Sequence, residues 1–215
     1  IWKRIYIERL GEPLIYNLVS IFIFIFGNFI KKIEYDLVPR QPYAFGLNEV
    51  FKIAKLENKK KILILEFGVA SGAGLYNLAY ISKKLSKIYK IDYEIIGFDT
   101  GKGMPPPVDY RDHPEKYRTA DFPSLKLNYK KLPQKTKMYL GNIVKTLKLL
   151  KNDLKKNVNI GFISIDVDYF SSTVAALKVL NFHKNAYCSK TVMYFDDTNN
   201  VDHNEYCGEL LAINE

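Results

Sequence analysis

The segment from Ile62 to Asn77, ILILEFGVASGAGLYN, constrains the fold of this chain more than any other stretch. Its first four residues are apolar, which predicts a strand buried on both faces, and this strand ends at Glu66. A turn with three glycines follows, and an amphipathic run with helical spacing extends from Leu75 to Leu85. A strand, a glycine turn and a helix form the first half of a doubly wound α/β unit, which binds a ligand at the helix N-terminus.

The order of residues in the glycine turn distinguishes two kinds of ligand. A dinucleotide site has the pattern G-x-G-x-x-G and holds a pyrophosphate on backbone amides. Here the order is E-F-G-V-A-S-G-A-G, which resembles motif I of the class I S-adenosylmethionine (SAM) methyltransferases. Because SAM has a cationic amino-acid end and no phosphate, it needs a nearby carboxylate and glycines that allow close backbone approach. The candidate SAM-binding residues of this turn are Glu66, Gly68, Ala70, Gly72 and Gly74.

A second buried strand, Tyr93 to Phe98, ends at Asp99, where a carboxylate can accept hydrogen bonds from both hydroxyls of a ribose. Asp99 and the adjacent Thr100 are therefore further cofactor-binding candidates. The polar segment from Val108 to Pro123 is longer and more irregular than a loop that only connects two elements, which predicts a lid or binding loop. His113 in this loop is the candidate general base, since imidazole exchanges protons near neutral pH; an ordinary surface histidine is the alternative.

Two later strands also end in carboxylates. Phe162 to Ile165 runs into Asp166-Val167-Asp168, and Thr191 to Phe195 runs into Asp196-Asp197. Three or four carboxylates at one rim are unfavourable unless a cation or a proton compensates them. Mg²⁺ suits such a rim, because it is a hard ion that takes oxygen ligands. The alternative is that Asp166 and Asp168 hydrogen-bond SAM and cap the following helix without a metal.

The first 40 residues differ from the rest, because Leu14 to Ile30 is strongly apolar and aromatic. This stretch lies near the lower limit of roughly 17 residues for a membrane span, polar residues interrupt it, and no signal-peptide cleavage site is obvious. We expect residues 1–40 to form an apolar helical cap, with a buried helix or helix pair that covers the sheet or makes a homodimer surface. Peripheral membrane contact through residues 14–30, with Lys31 and Lys32 at its end, is the alternative.

Charge and cysteine content constrain the partners and the compartment. The net charge of +9 comes from lysines spread along the whole chain, so it names no partner by itself. Motifs for flipped bases and an aromatic-basic platform are absent from the sequence, and we therefore expect no nucleic-acid partner. Cys188 and Cys207 have neither metal-binding spacing nor a disulfide framework. We expect a cytoplasmic protein, peripheral to the inner membrane if the apolar segment contacts lipid.

Five segments, in the same order, resemble the macrocin O-methyltransferase group of class I SAM-dependent methyltransferases, which acts on sugar hydroxyls of macrolides. These segments are E-F-G-V-A-S-G-A-G, G-F-D-T-G-K-G-M-P, Y-L-G-N-I-V-K-T-L, S-I-D-V-D-Y-F-S-S-T and Y-F-D-D, and they span Lys61 to Asp197. The chain is also similar to related bacterial proteins that share G-E-P-L, D-Y-R-D-H-P-E and G-E-L-L-A-I-N-E.

The resemblance implies a doubly wound, Rossmann-like α/β sheet with helices on both faces over residues 41–215. In the family an antiparallel strand pair closes the sheet, and no sequence remains here for it, so we expect a fragment. Asn142 falls where the family contacts the adenine edge, although a helix N-cap is compatible with this position. Two departures are Lys102, where the macrolide enzymes tend to have an acid, and the loop of His113, which does not align securely. The residues that fall where the sugar methyltransferases hold Mg²⁺ are Asp166, Asp196 and Asp197.

The expected reaction is direct in-line transfer of the SAM methyl group to a hydroxyl of a sugar or another small diol, which needs positioning more than covalent catalysis. The metal at Asp166 would lower the pKa of the attacked hydroxyl, and His113 or a neighbouring loop residue would take the proton. Two other functions stay open. One is an NAD-binding oxidoreductase, which the glycine spacing disfavours, and the other is a SAM-fold protein that only binds or assembles at a membrane.

Overall fold

A computed structural model describes residues 11–123, 132–154, 159–198 and 205–215 of the chain. Within these ranges the parallel strands are β1 (Lys61–Phe67), β2 (Asp92–Asp99), β3 (Thr136–Leu140), β4 (Ile160–Ile165) and β5 (Tyr187–Phe195). The helices are α1 (Leu14–Phe26), α2 (Phe29–Glu34), α3 (Gln41–Leu56), α4 (Ala73–Tyr89), α5 (Ile143–Asp153), α6 (Phe170–Leu177) and α7 (Gly208–Asn214).

The five strands form one sheet in the order β3-β2-β1-β4-β5, with β1 in the centre. The chain passes from β1 through α4 to β2 on one side, and it later returns to β4 on the other side of β1. The direction of winding therefore changes between β1 and β4, and open α/β sheets bind ligands outside the carboxyl ends of the strands at such a switch point. The predicted doubly wound, Rossmann-like sheet is confirmed.

The apolar run in β1 supplies both layers of the core. Ile62 and Ile64 pack in a cluster with residues of α3 and α4, whereas Leu65 and Phe67 pack in a second cluster with residues of α5 and α6. Side chains alternate between the two faces of a strand, so a continuous apolar run is what a strand covered by helices on both sides requires.

The two N-terminal helices differ in how far they are buried. A helix pair is present, and α2 is packed: Ile33 is fully buried, and the ring of Phe29 contacts Tyr80 of α4 edge-on, with 6.2 Å between centroids. In α1, however, Ser20 and Ile23 are the only buried residues, and seven large apolar side chains are more than half exposed. Most of α1 is therefore not covered by other described residues, and the predicted homodimer surface and the alternative of membrane contact both stay predictions. In the described ranges, no helix is both long and apolar enough to cross a membrane.

Two glycines allow α3 to lie directly on the sheet. A Cβ atom at Gly46 would be 2.8 Å from Cε2 of Phe162, and one at Gly161 would be 2.3 Å from Cγ1 of Val50. Both distances are shorter than van der Waals contact, so the helix and the β4 backbone are in contact where these residues meet. This contact sets the depth at which the N-terminus of α3 sits beside the strand ends.

Substitution of Gly161 by alanine should destabilise the protein by about 1–3 kcal/mol, because a close-packed interior relaxes little when a methyl group is added. The matched control is Gly11→Ala, for which no atom of the described residues lies within 4 Å of the new Cβ. Urea unfolding of both variants measures the difference. Equal midpoints for Gly161→Ala and the wild type would show that α3 does not rest on β4 as described.

Candidate active site

A cavity of about 1020 Å³ opens at the carboxyl ends of the strands, near the switch point between β1 and β4. Its volume is at the upper end of the range of roughly 300–1000 Å³ typical of small-molecule sites. The glycine turn, the end of β2, the start of α5 and the ends of β4 and β5 all contribute to its wall. The predicted site residues that line it are Glu66, Gly68, Ala70, Gly74, Asp99, Thr100, Asn142, Asp166, Asp196 and Asp197.

Two predicted site residues, Gly72 and His113, do not line this cavity. Gly72 is the N-cap of α4 and has a φ of 89°, so it permits the turn that starts the helix. The Nε2 atom of His113 lies 3.2 Å from Oε1 of Glu115, and its ring packs edge-on against Tyr117, which does line the cavity. The geometry therefore gives no support to His113 as the general base.

The other glycines of the turn are required by close contacts. Gly68 has a φ of 84°, and a Cβ atom there would lie 1.7 Å from the carbonyl oxygen of Asp166. The backbone segments at the ends of β1 and β4 are therefore in direct contact. A Cβ atom at Gly74 would lie 1.9 Å from Oε1 of Glu66, so this glycine makes room for the carboxylate.

Glu66 is a fully buried carboxyl group at the glycine end of the cavity. Its Oε2 atom has no hydrogen-bond partner among the described residues. Burial raises the pKa of Glu66 well above its usual value, Asp166 adds to this effect, and the guanidinium of Arg40 opposes it. A buried polar atom without a partner is unfavourable, so a donor or cation bound in the cavity would stabilise this arrangement.

Asp99 holds the glycine turn in place. Its Oδ2 atom accepts hydrogen bonds from the backbone N–H groups of Val69 (3.0 Å) and Ala70 (2.9 Å), and its Oδ1 atom accepts one from Gly101 (2.7 Å). A carboxylate has about four acceptor positions, so one remains for a ribose hydroxyl. The ribose contact stays a prediction, but the carboxylate has a structural function that the sequence did not indicate.

Thr100 and Asn142 also make local contacts at the rim of the cavity. The hydroxyl of Thr100 donates to the carbonyl oxygen of Gly103 at 2.6 Å, which closes the loop after β2. The Oδ1 atom of Asn142 accepts from the backbone N–H of Val144 at 3.0 Å and caps α5. The N-cap role considered for Asn142 is therefore confirmed, and its amide group still lies at the cavity wall.

On the β4 and β5 side of the cavity, Asp166, Asp168 and Asp197 each place one carboxylate oxygen within 4.8 Å of the others. We call these three residues the acidic cluster. Asp196, predicted as a metal ligand, lines the same cavity, but its Oδ1 atom accepts a hydrogen bond from the hydroxyl of Tyr194 at 2.6 Å. Asp168, which was not predicted as a metal ligand, belongs to the acidic cluster, and the predicted metal role of Asp196 stays a prediction.

The pKa values of the acidic cluster reflect its burial. Burial raises the pKa of Asp166 to about 7, with repulsion from Asp196 and Asp168 adding to the effect and Arg40 opposing it. Burial and the neighbouring Asp197 raise the pKa of Asp168 to about 7 as well. The pKa of Asp197 is also raised, chiefly by burial. Three such groups are not all ionised at neutral pH unless a cation compensates their charge.

Glu209 is a site residue that the sequence reasoning missed. It lies in the first turn of α7 and is completely buried. Its Oε1 atom accepts from the backbone N–H of Val167 at 3.0 Å, and its Oε2 atom accepts from that of Asp197 at 3.1 Å. The carboxylate of Glu209 thus connects the segment that follows β4 with the segment that follows β5. The sequence pointed to Glu209 only through the segment G-E-L-L-A-I-N-E, which is shared with the related bacterial proteins. This segment does not follow a predicted strand, so it did not mark Glu209 as a residue at a strand end.

Arg40 is the second residue that the sequence reasoning missed. It precedes α3, has a φ of 46° and lines the cavity. Its Nη1 atom donates to the hydroxyl of Tyr43 at 3.2 Å, and its guanidinium lies 5.2 Å from the centre of that ring. Its charge lowers the pKa of both Glu66 and Asp166, so it partly compensates the carboxyl groups at both ends of the cavity.

The predicted binding loop does contribute to the cavity wall, through Val108, Lys116 and Tyr117 among others. Asp112 is fully buried and fastens this loop to the start of α6. Its carboxylate accepts from the backbone N–H and the hydroxyl of Ser171, both at 2.8 Å, and from the backbone N–H of Val108 at 2.7 Å. The loop is therefore anchored beside the acidic cluster.

Comparisons with known proteins support the fold. No family model matches this chain, and no curated protein matches it in sequence. Among solved structures, the calicheamicin methyltransferase CalS11 is similar with a TM-score of 0.55 and 19% sequence identity, covering 93% of this chain and 82% of CalS11. The O-methyltransferase NovP is similar with a TM-score of 0.53 and 14% identity, covering 80% of this chain and 69% of NovP. The chain therefore shares the α/β fold of these methyltransferases.

Proposed function

We propose that this protein is a SAM-dependent O-methyltransferase that acts on a hydroxyl of a sugar or another small diol. One observation carries the proposal. A single cavity joins the buried Glu66 carboxyl group, whose Oε2 atom has no hydrogen-bond partner among the described residues, to the acidic cluster of Asp166, Asp168 and Asp197. The fold shared with two methyltransferases and the order of the sequence motifs support the same conclusion.

The residues at the glycine end fit SAM. Glu66 would accept a hydrogen bond from the cationic amino-acid end, since its Oε2 atom is buried and has no partner among the described residues. Gly68 allows the backbone to approach a ligand closely, and the remaining acceptor position of Asp99 would bind a ribose hydroxyl. When bound, SAM supplies an electrophilic methyl group on its sulfonium. A dinucleotide would place its phosphates near the Glu66 carboxylate, which disfavours the oxidoreductase alternative.

The residues at the aspartate end fit a divalent cation. Asp166 and Asp197 belong both to the sequence prediction and to the acidic cluster, so they are the ligands on which this proposal rests. Their raised pKa values show that the cluster is electrostatically strained when it is fully ionised. When bound, Mg²⁺ takes carboxylate oxygens and waters and would lower the pKa of a substrate hydroxyl. Glu209 would hold the backbone of Asp197 beside the segment that follows β4, because it accepts hydrogen bonds from both.

Asp168 is better placed than His113 to accept the proton of the attacked hydroxyl. It lines the cavity, and the hydroxyl of Tyr117 donates a hydrogen bond to it. Its carboxylate can therefore accept a proton from a hydroxyl that is bound in the cavity. His113 packs against Tyr117 and does not line the cavity.

Isothermal titration should show that the wild type binds S-adenosylhomocysteine and does not bind NAD⁺. Glu66→Gln should weaken this binding by roughly tenfold or more, because a charge-assisted hydrogen bond is lost. Asp197→Asn should leave it nearly unchanged, since Asp197 follows β5, which β4 separates from the strand of Glu66, but should abolish SAM turnover with a panel of sugar acceptors. Binding of NAD⁺ would contradict the proposed SAM site. Turnover that persists in EDTA would contradict the proposed role of a divalent cation.

The acidic cluster should make the stability of the metal-free protein depend on pH. A carboxyl group with a pKa of about 7 in the folded protein and about 3.9 when unfolded holds its proton more tightly in the folded state. The protonated carboxyl group therefore favours the folded state. This contribution to stability is complete below about pH 4 and is lost as the pH rises to about 7, where the group ionises in the folded protein. Because asparagine does not ionise, Asp168→Asn should not lose stability through this group as the pH rises. Its free energy of unfolding should exceed that of the wild type by about 1–3 kcal/mol at pH 7.5.

The control for this experiment is Glu34→Gln, which removes an exposed carboxylate paired with Lys31 on the surface. This variant should follow the wild-type stability curve. Mg²⁺ should raise the thermal unfolding midpoint of the wild type at pH 7.5 and have little effect at pH 5, where protons already compensate the cluster. Parallel stability curves for the wild type and Asp168→Asn between pH 4 and pH 8 would contradict the electrostatic account.

A further inference from the structure

The exposed side of α1 is entirely apolar. With 3.6 residues per turn, Leu14, Ile15, Leu18, Phe22, Ile25 and Phe26 lie within an arc of about 120°, and each is between 58% and 74% exposed. We call these six residues the apolar face. The helix contains no charged residue. Contiguous exposed apolar patches on soluble proteins mark binding surfaces, so this face needs a partner.

A row of basic side chains lies on α4, the helix against which the first residue of α2 packs. Along the exposed side of α4, at helical spacing, are Tyr76, Tyr80, Lys83, Lys84 and Lys87, which we call the basic stripe. No acidic residue occurs in α4. The stripe and the end of α1 are close, because α2 begins three residues after Phe26 and its first residue, Phe29, contacts Tyr80.

We propose that the apolar face and the basic stripe together form a docking surface for an anionic lipid bilayer, on which α1 lies in the plane of the interface. The apolar side chains would enter the boundary between headgroups and acyl chains, and the lysines would face the anionic headgroups. With 13 residues, α1 is too short to cross the bilayer, which a helix spans with roughly 17–25 residues. This inference is independent of the proposed enzymatic function.

Charge favours a bilayer over a second copy of the chain as the occupant. In a two-fold symmetric dimer the same patch faces itself, so the basic stripes of the two copies would be brought near each other. Each copy carries a net charge of +9, and like charges oppose such an approach. An anionic surface attracts the same lysines, so both parts of the docking surface would contribute to binding in the same direction.

Vesicle flotation tests the proposal with the whole chain. The protein should float with phosphatidylcholine–phosphatidylglycerol vesicles, bind vesicles of phosphatidylcholine alone at least tenfold more weakly, and lose binding as salt is raised. Phe22→Ser combined with Phe26→Ser should weaken binding by roughly tenfold or more, because two large apolar side chains no longer leave water. The matched control is Leu56→Ser, since Leu56 is 83% exposed on α3, outside the docking surface.

A second variant, with Lys83, Lys84 and Lys87 all changed to Gln, should abolish the preference for anionic vesicles. All variants should keep the thermal unfolding midpoint of the wild type within a few degrees, since the changed side chains are exposed. Absence of flotation with the anionic vesicles would overturn the proposal. A dimer in sedimentation equilibrium that Phe22→Ser and Phe26→Ser dissociate, without vesicle binding by the wild type, would overturn it in favour of a second copy.

Discussion

The repulsion among buried carboxyl groups at the ends of β1, β4 and β5 is the constraint on which the rest of the site depends. In the part of the chain that the structure describes, the buried Glu66, Asp197 and Glu209 and the half-buried Asp166 and Asp168 converge on this region. The protein compensates them in part with the guanidinium of Arg40, with backbone amides that donate to Glu209, and with raised pKa values that favour protonation. This compensation is incomplete at neutral pH, which is the physical reason to expect a cationic ligand at each end of the cavity.

The sheet topology is what brings these groups together. Because the winding direction changes between β1 and β4, the chain leaves a crevice above two adjacent strand ends, and Gly68 lets the two backbones meet there. The contact of α3 with β4 then positions Arg40 at the cavity. A nucleoside cofactor at the glycine end and an acceptor at the aspartate end would share one enclosed space, which is the geometry that a direct group transfer requires.

The docking surface on α1 and α4 has a different physical origin from the site. Its apolar face has no packing partner within the described part of the chain and is not explained by the stability of the fold. A surface of this kind is unfavourable in water unless it is covered. The side chains changed in the vesicle experiment do not line the cavity, so membrane docking and methyl transfer can be tested, and can fail, independently of each other.

The sequence by itself determined the doubly wound sheet, the glycine turn and the presence of carboxylates at several strand ends, because these follow from local periodicity and from the rule that parallel strands end at one edge. Only the tertiary structure decided which side chains meet. Asp168, with a φ of 58°, joins the acidic cluster, whereas Asp196 accepts a hydrogen bond from Tyr194. Glu209 comes from a distant segment, and His113 packs against Tyr117 without lining the cavity itself. The exposure of α1 was also undetermined by sequence, since an apolar helix looks the same whether protein or another apolar phase covers it. Local patterns specify which residues share a face, but contacts depend on backbone dihedrals and on neighbours contributed by remote parts of the chain.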